Sequence, residues 1–97
     1  MSVYMIIEIK EIIDEKVYGE YVRKVSAAVI RNGGKYLVRG GRVRTVSGDW
    51  NPNRIVLIEF ESMDKFNVWC NSPENKEIVP MRARSAKTNA VIVEGIK

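Results

Sequence analysis

The sequence predicts a single α+β domain whose elements follow the order strand, helix, strand, strand, helix, strand. Four segments are rich in apolar and β-branched residues, as buried strands are. Two other segments, after the first and third strands, repeat apolar residues at helical spacing. A chain of 97 residues is also the length of one domain, so we expect residues 1–97 to share one core.

The first half of the chain holds two strands and a long helix. Val3–Lys10 runs apolar and ends in charge, which indicates a strand buried on at least one face. Asp14 can cap the helix that follows, and Asn32-Gly33-Gly34 can end it. Lys35–Arg39 is predicted as the second strand, which bulges at the glycine pair that follows and resumes over Arg42–Val46.

The second half holds the other two strands and the remaining helical segments. Arg54–Glu61 contains four successive apolar residues, which is typical of a central strand covered on both faces. Ser62 can cap the second helix, and Ser72, followed by a proline, can cap a further helical piece. We expect Pro80 to bend or end that piece. The last strand is predicted over Thr88–Glu94.

Joined by right-handed crossovers, these elements form a ferredoxin-like βαββαβ sandwich in which an antiparallel sheet carries both helices on one face. We place the first and third strands side by side at the centre and take these two as parallel. Strand alternation then divides the apolar residues between two faces. Those expected to face the helices are Met5, Ile7, Val56, Ile58, Val91 and Val93. Those expected on the other face, the open face, are Ile6, Leu37, Ile55, Leu57, Ala90 and Ile92.

The open face of the predicted sheet is too apolar to remain in water. A patch of this kind is rare on the surface of a monomer, and a second copy of the chain would cover it. We therefore predict a homodimer through the sheet face, the arrangement called a dimeric α/β barrel.

The composition argues against several classes of function. The chain has no histidine and one cysteine, Cys70, so neither a Ser-His-Asp nor a Cys-His apparatus can form. A zinc site would have a single thiolate, and we expect no metal and no cofactor. The lone cysteine fits a reducing compartment. No apolar run approaches the roughly 20 residues that cross a bilayer, and Met1–Tyr4 lacks the basic residues with which a signal peptide begins. We therefore expect a cytoplasmic protein without membrane contact.

Nucleic acid is not an expected partner. The net charge is +4, and the basic residues alternate with twelve acidic ones instead of forming a block. RNA-recognition domains share this order of elements but stack bases on aromatic residues of the open face, where the third strand offers Ile55, Leu57 and Glu59. We therefore expect no specific binding of nucleic acid.

Several motifs together carry a family resemblance. The run from Gly33 to Gly41, with its double-glycine strand, is followed by Gly48-Asp49-Trp50-Asn51-Pro52-Asn53-Arg54 and by Ile58-Glu59-Phe60. Trp69, Ser72-Pro73-Glu74 and Arg82 come later in the same order. With these motifs the chain resembles the domain-of-unknown-function family 1330 over nearly its whole length. The resemblance implies a ferredoxin-like fold that dimerises face to face, and it implies no activity.

Five polar residues have the parity of the open face: Tyr4, Glu8, Arg39, Glu59 and Glu94. If the first and third strands are parallel, Glu8, Arg39 and Glu59 gather at one end of the sheet and Glu94 lies at the other. Glu59 or Glu8 could then act as the catalytic acid or base, with a pKa raised by burial and adjusted by Arg39. Alternatively, Arg39 and Glu59 pair across the strands and fix the register or the dimer interface.

Three further residues complete the candidate site. Trp50 and Arg54 bracket the turn after the second strand, where they could serve as a lid and an anion clamp, although Trp50 could also anchor the loop on the core. The family resemblance singles out Arg82, which could also belong to a solvated basic run. The candidate ligand-binding residues are therefore Tyr4, Arg39, Trp50, Arg54 and Arg82.

Three functions are compatible with this pattern. We expect a dimer that binds a small organic ligand in a cleft at the end of the barrel, and Arg39 and Arg54 suit an anion. An alternative is a cofactor-independent enzyme of the oxygenase or isomerase type that uses Glu59 or Glu8 for proton transfer. A further alternative is a purely structural dimer module.

Overall fold

The computed structural model describes all 97 residues and contains four strands and three helices. In chain order the elements are β1 (Val3–Ile12), α1 (Glu15–Arg31), β2 (Lys35–Arg39), β3 (Arg54–Phe60), α2 (Met63–Cys70), α3 (Pro73–Ser85) and β4 (Ala86–Glu94). The strands form one sheet in the order β2-β3-β1-β4. This is the predicted ferredoxin-like α+β arrangement, and the sheet of one chain is open and not closed into a barrel.

Every neighbouring pair of strands in the sheet is antiparallel, including the central pair β1 and β3. The expectation that these two strands run parallel is therefore wrong. The reason lies in the crossovers: α1 makes β1 parallel to β2, and the helices after β3 make β3 parallel to β4. Because the two parallel pairs interleave, direct neighbours run in opposite directions. Residues late in β1 consequently lie beside residues early in β3, as Glu8 opposite Ile55 shows.

Polar side chains begin each helix at the predicted caps. The Asp14 carboxylate accepts a hydrogen bond from the Val17 amide at 3.1 Å, at the start of α1. The hydroxyl of Ser62 accepts from the Lys65 amide, and that of Ser72 from the Asn75 amide, both at 3.1 Å. These three caps are confirmed. They fix where the helix layer starts and therefore which helix residues face the sheet.

The core lies between the helices and one face of the sheet. Val3, Ile7, Ile58 and Phe60 are all buried there, and Trp69 of α2 is only 3% exposed. In β4 the predicted alternation is inverted, because Val91 lies opposite Ile6 and Val93 opposite Tyr4 on the open face. Val91 and Val93 are exposed, while Ile92 packs against the core.

One expectation about the middle of the chain is wrong. The second strand does not resume after Arg39: residues 40–53 form a loop without regular structure. Of the two effects expected of Pro80, a bend or an end, it does not end α3, which continues to Ser85. Of the three helices, none combines the length and the apolar character that crossing a bilayer requires.

Candidate functional site

A cavity of about 170 Å³ lies between the helix layer and the sheet, and we call it the helix–sheet cavity. Its walls come from β1, β2 and β3 on one side and from all three helices on the other. Most of the lining is apolar or aromatic, including Tyr18, Tyr21, Tyr36 and Trp69. Besides the tyrosines, the polar side chains that line it are Ser26 from α1, Arg39 from β2, and Asn75 and Arg82 from α3.

Arg39 reaches this cavity because β2 is irregular. Tyr36 lies opposite Ile58, but the register then shifts, so that Arg39 lies opposite Val56, a residue that packs on the core. If β2 were regular, Arg39 would lie on the open face, since a shift of one residue moves every following side chain to the other side of the sheet. The guanidinium carbon of Arg39 is 4.2 Å from the centre of the Tyr36 ring, a cation–π contact.

The arginines of the cavity have no acidic partner. No aspartate or glutamate is among the lining residues, and neither Arg39 nor Arg82 takes part in an ion pair anywhere in the chain. Arg82 is half-buried, whereas Arg39 is exposed. A guanidinium beside apolar walls attracts an anion more strongly than one in water, because the local dielectric constant is lower.

Burial raises the pKa of three side chains of the cavity wall, Tyr21, Tyr36 and Cys70. Burial raises the pKa of the Tyr21 hydroxyl, and the charge of the neighbouring Arg82 only partly opposes it. Burial likewise raises the pKa of Tyr36, against the opposing effects of Ser26 and Arg39. Burial also raises the pKa of the Cys70 thiol, with Arg82 acting in the opposite direction. The cavity therefore presents hydrogen-bond donors and positive charge, and it holds no carboxylate or histidine side chain.

Glu8 and Glu59, the predicted catalytic residues, are both on the open face but at opposite ends of it. Glu8 accepts hydrogen bonds from the Trp50 indole at 3.1 Å and from the Asn89 amide at 3.2 Å. Glu59 accepts one from the Tyr4 hydroxyl at 3.2 Å, which raises the pKa of that tyrosine. The prediction that these carboxylates gather at one end of the sheet is wrong, since it rested on parallel central strands.

The remaining predicted residues divide between the two faces. Arg39 and Glu59 are on opposite faces, so neither the shared cleft nor the cross-strand pair is formed. Glu94 lies opposite Val3, so it is on the side of the sheet that faces the helices and not on the open face. The stem of Arg54 packs beside Gly40, whose φ of +71° and close approach favour glycine, but Arg54 does not line the helix–sheet cavity.

A second depression lies on the open face, beneath the loop of residues 40–53. It is wide and open, with a volume of about 550 Å³. Ile6, Ile55 and Leu57 form its floor, and Trp50 is among the loop residues above it. Thr45 donates a hydrogen bond to the Trp50 carbonyl at 2.7 Å, which holds the two sides of the loop together. The loop therefore folds over the sheet, and Trp50 belongs to this side and not to the helix–sheet cavity.

Sequence reasoning missed most of the residues that line the helix–sheet cavity. Tyr18 and Tyr21 lie on the apolar stripe of α1, a pattern that favours a place in the core. Cys70, Asn75 and Ser26 carry no signal of a ligand site in the sequence. Of the predicted ligand-binding residues, the cavity brings together Arg39 and Arg82 alone. No three histidine, cysteine, aspartate or glutamate side chains are close enough to bind one metal ion.

The sequence matches one family over almost its entire length. The family model described as "Domain of unknown function (DUF1330)" matches residues 2–96. The chain belongs to this family. The resemblance drawn from its glycine pairs and its Trp50 turn is thereby confirmed. No curated protein matches the chain with significance.

Solved structures with the same fold have distant sequences. A protein of unknown function from Rhodopseudomonas palustris is 18% identical, with a TM-score of 0.78, covering 99% of this chain and 83% of the other. A dimeric ferredoxin-like protein of unknown function from Jannaschia sp. CCS1 is 11% identical, with a TM-score of 0.74 and coverage of 98% and 100%. A candidate antibiotic biosynthesis monooxygenase from Nitrosomonas europaea is 15% identical, with a TM-score of 0.61 and full coverage of both chains. At these identities the likeness confirms the ferredoxin-like fold alone.

Proposed function

We propose that this protein is a dimeric small-molecule binding protein that takes a small organic anion with an apolar body into the helix–sheet cavity. The observation that carries the proposal is the pair of arginines, Arg39 and Arg82, on an apolar cavity that contains no carboxylate. Buried or half-buried charges in proteins are normally paired, and an unpaired one costs stability. A bound carboxylate or similar group would supply the missing partner.

The size of the cavity limits the ligand. A dry cavity of roughly 150 Å³ in a protein core can hold one benzene ring, and the helix–sheet cavity has about 170 Å³. Its aromatic walls, including Tyr36 and Trp69, suit a flat apolar body. A monocyclic organic acid therefore fits the volume, the walls and the charge together.

Calorimetric titration with benzoate and with benzyl alcohol, its neutral counterpart, tests this proposal. A charge-assisted hydrogen bond contributes about 1.5–3 kcal/mol, so benzoate should bind about 10- to 100-fold more tightly than benzyl alcohol. Arg82→Gln should remove most of that difference. Arg84→Gln is the matched control, because Arg84 is an exposed arginine of the same helix that does not line the cavity. Native mass spectrometry of the purified protein would in addition identify a ligand that is retained from the cell.

Equal affinities for the acid and the alcohol would contradict the proposal. So would a preference for benzoate that both Arg82→Gln and Arg39→Gln leave unchanged. Catalytic turnover that is lost in Glu59→Gln or Glu8→Gln would instead support the enzyme, with its substrate on the open face where these carboxylates lie. Dimerisation without binding of either probe would support the purely structural module.

The dimeric part of the proposal rests on the open face. Leu37, Val38, Val91 and Val93 are 39–61% exposed there, around the half-buried residues of the central strands. Hydrogen-bonded carboxylates lie at both ends of this apolar band, in the pattern of an interface with an apolar centre and a polar rim. Proteins that share the fold, such as the one from Jannaschia, are described as dimeric.

Sedimentation at micromolar concentration tests the dimer. Leu57→Lys places a charge at the centre of the open face and should convert the dimer into a monomer. Val68→Lys is the matched control, because Val68 is 67% exposed on α2 and away from that face. A wild-type monomer, or equal effects of the two substitutions, would contradict an interface on the sheet.

A further inference from the structure

The net positive charge of the chain is confined to one segment. Residues 35–54 contain five basic side chains and a single acidic one, a net charge of +4 that equals the charge of the whole protein. The other residues carry eleven basic and eleven acidic groups. We call residues 35–54 the basic segment; its charged residues are Lys35, Arg39, Arg42, Arg44, Asp49 and Arg54.

The charges of the basic segment are not neutralised within the chain. The four ion pairs of the structure involve Lys24, Arg31, Lys65 and Lys87, all outside the segment. The segment comprises β2, which is an edge strand, the loop of residues 40–53 and the first residue of β3. Its field therefore extends into solvent along one edge of the molecule.

The basic segment adjoins the helix–sheet cavity at Arg39. Arg39 is the only exposed residue of the lining, so the lining is most accessible to solvent there. Arg42 follows three residues later, within about 11 Å along an extended chain. The stem of Arg54 packs beside Gly40, the residue next to Arg39. Unpaired positive charge of the basic segment therefore lies at Arg39 and on residues close to it.

We propose that the basic segment steers anions to the Arg39 side of the helix–sheet cavity, so that the charge of a ligand sets how fast it enters. This inference rests on the proposed function, since it gives a route to the same cavity. A neutral molecule of the same size enters without this attraction. Residues such as Arg42 and Arg44 act at a distance and need not touch the bound ligand.

The cavity contains its own reporter, Trp69, which is 3% exposed and lines the wall. Trp50→Phe removes the only other tryptophan. In that background, fluorescence-lifetime quenching by iodide and by neutral acrylamide measures how often an anion and a neutral molecule reach Trp69. The measurement is made at about 0.01 M and about 1 M ionic strength, where the Debye length is about 30 Å and about 3 Å.

At low ionic strength the ratio of the iodide to the acrylamide quenching constant should be about threefold higher than at high ionic strength. Arg42→Gln/Arg44→Gln should lower the iodide constant about twofold at low ionic strength and leave the acrylamide constant unchanged. Arg84→Gln/Lys97→Gln removes the same charge from exposed residues outside the segment and should have a clearly smaller effect.

Three results would overturn the steering. These are a quenching ratio that does not depend on ionic strength, equal effects of the two double variants, and a Trp69 that neither quencher reaches. Benzoate titration is independent of all three measurements. If benzoate binds through Arg82 while iodide shows no preference, the steering fails and the proposed function stands. If iodide is enriched at Trp69 but benzoate does not bind, the steering stands and the proposed function fails.

Discussion

Gly34 is the position at which a single methyl group should disturb the core most directly. An alanine Cβ there would lie 2.5 Å from Cγ1 of Val29 and 3.1 Å from two ring carbons of Phe60. Carbon atoms pack best at about 3.5–4.0 Å, so the shorter contact is too close by about 1 Å. Val29 and Phe60 are 1% and 0% exposed, and neither can turn towards solvent. Overpacking of this kind costs about 1–3 kcal/mol.

Urea unfolding of Gly34→Ala at the same protein concentration as the wild type measures this cost, because the proposed dimer would make stability depend on concentration. Each kcal/mol should lower the melting temperature by about 4–8 °C for a chain of this length. Gly41→Ala is the control: its Cβ would meet nothing within 4 Å, and its cost should stay within about 0.5 kcal/mol.

A double-mutant cycle tests the steric cause. Val29→Ala removes the methyl group that the new Cβ would meet, so the two substitutions together should cost at least about 1 kcal/mol less than the sum of their separate effects. Additive effects would refute the clash. A Gly34→Ala variant within about 0.5 kcal/mol of the wild type would refute the whole line of reasoning.

Three further predictions concern other parts of the molecule. Arg31 holds the pKa of the Glu74 carboxyl below its usual 4.5, so the contribution of this ion pair to stability is fully present at neutral pH and is lost as the pH falls through the pKa of Glu74 in the folded protein. Glu74→Gln should therefore flatten the acid limb of a profile of unfolding free energy against pH, measured with urea. Pro80→Ala should raise the free energy of unfolding by about 1–2 kcal/mol, because proline inside a helix costs about 3 kcal/mol relative to alanine but also stiffens the unfolded chain. Glu59→Gln should leave benzoate affinity unchanged in a calorimetric titration, because Glu59 bonds Tyr4 on the open face; a loss of affinity would place Glu59 in the site.

The elements themselves could be predicted from the sequence because each is marked by local chemistry. Asp14, Ser62 and Ser72 cap the helices that they were expected to cap. The first part of the predicted second strand, Lys35–Arg39, is confirmed as β2, because glycine pairs flank it on both sides. These signals depend on a few neighbouring residues, which the sequence displays directly.

The position of the site depends on register, which the sequence does not display. The irregularity in β2 lies between Tyr36 and Val38, whereas a bulge was expected at the following glycine pair. This shift of a few residues carries Arg39 from the open face to the helix side. It separates Arg39 from Glu59 and brings it to the same cavity as Arg82.

Strand direction accounts for the other error about the site. Glu8 and Glu59 were expected together because each was counted from the start of a strand, and the central strands were taken as parallel. In the antiparallel pair Tyr4 lies opposite Glu59, and Glu8 lies opposite Ile55. The two carboxylates are therefore held apart by the same interleaved crossovers that define the fold, and no local pattern in either strand reveals this.

The ionisable groups of the helix–sheet cavity distinguish binding from proton-transfer catalysis. A general base must be deprotonated near neutral pH, yet burial raises the pKa values of Tyr21, Tyr36 and Cys70, and no carboxylate or histidine lines the wall. The arginines supply positive charge. Such a wall can bind an anion and donate hydrogen bonds to it, but it cannot accept a proton from it. Proton transfer by Glu8 or Glu59 would take place on the open face, where a dimer interface would compete with the substrate for the same surface.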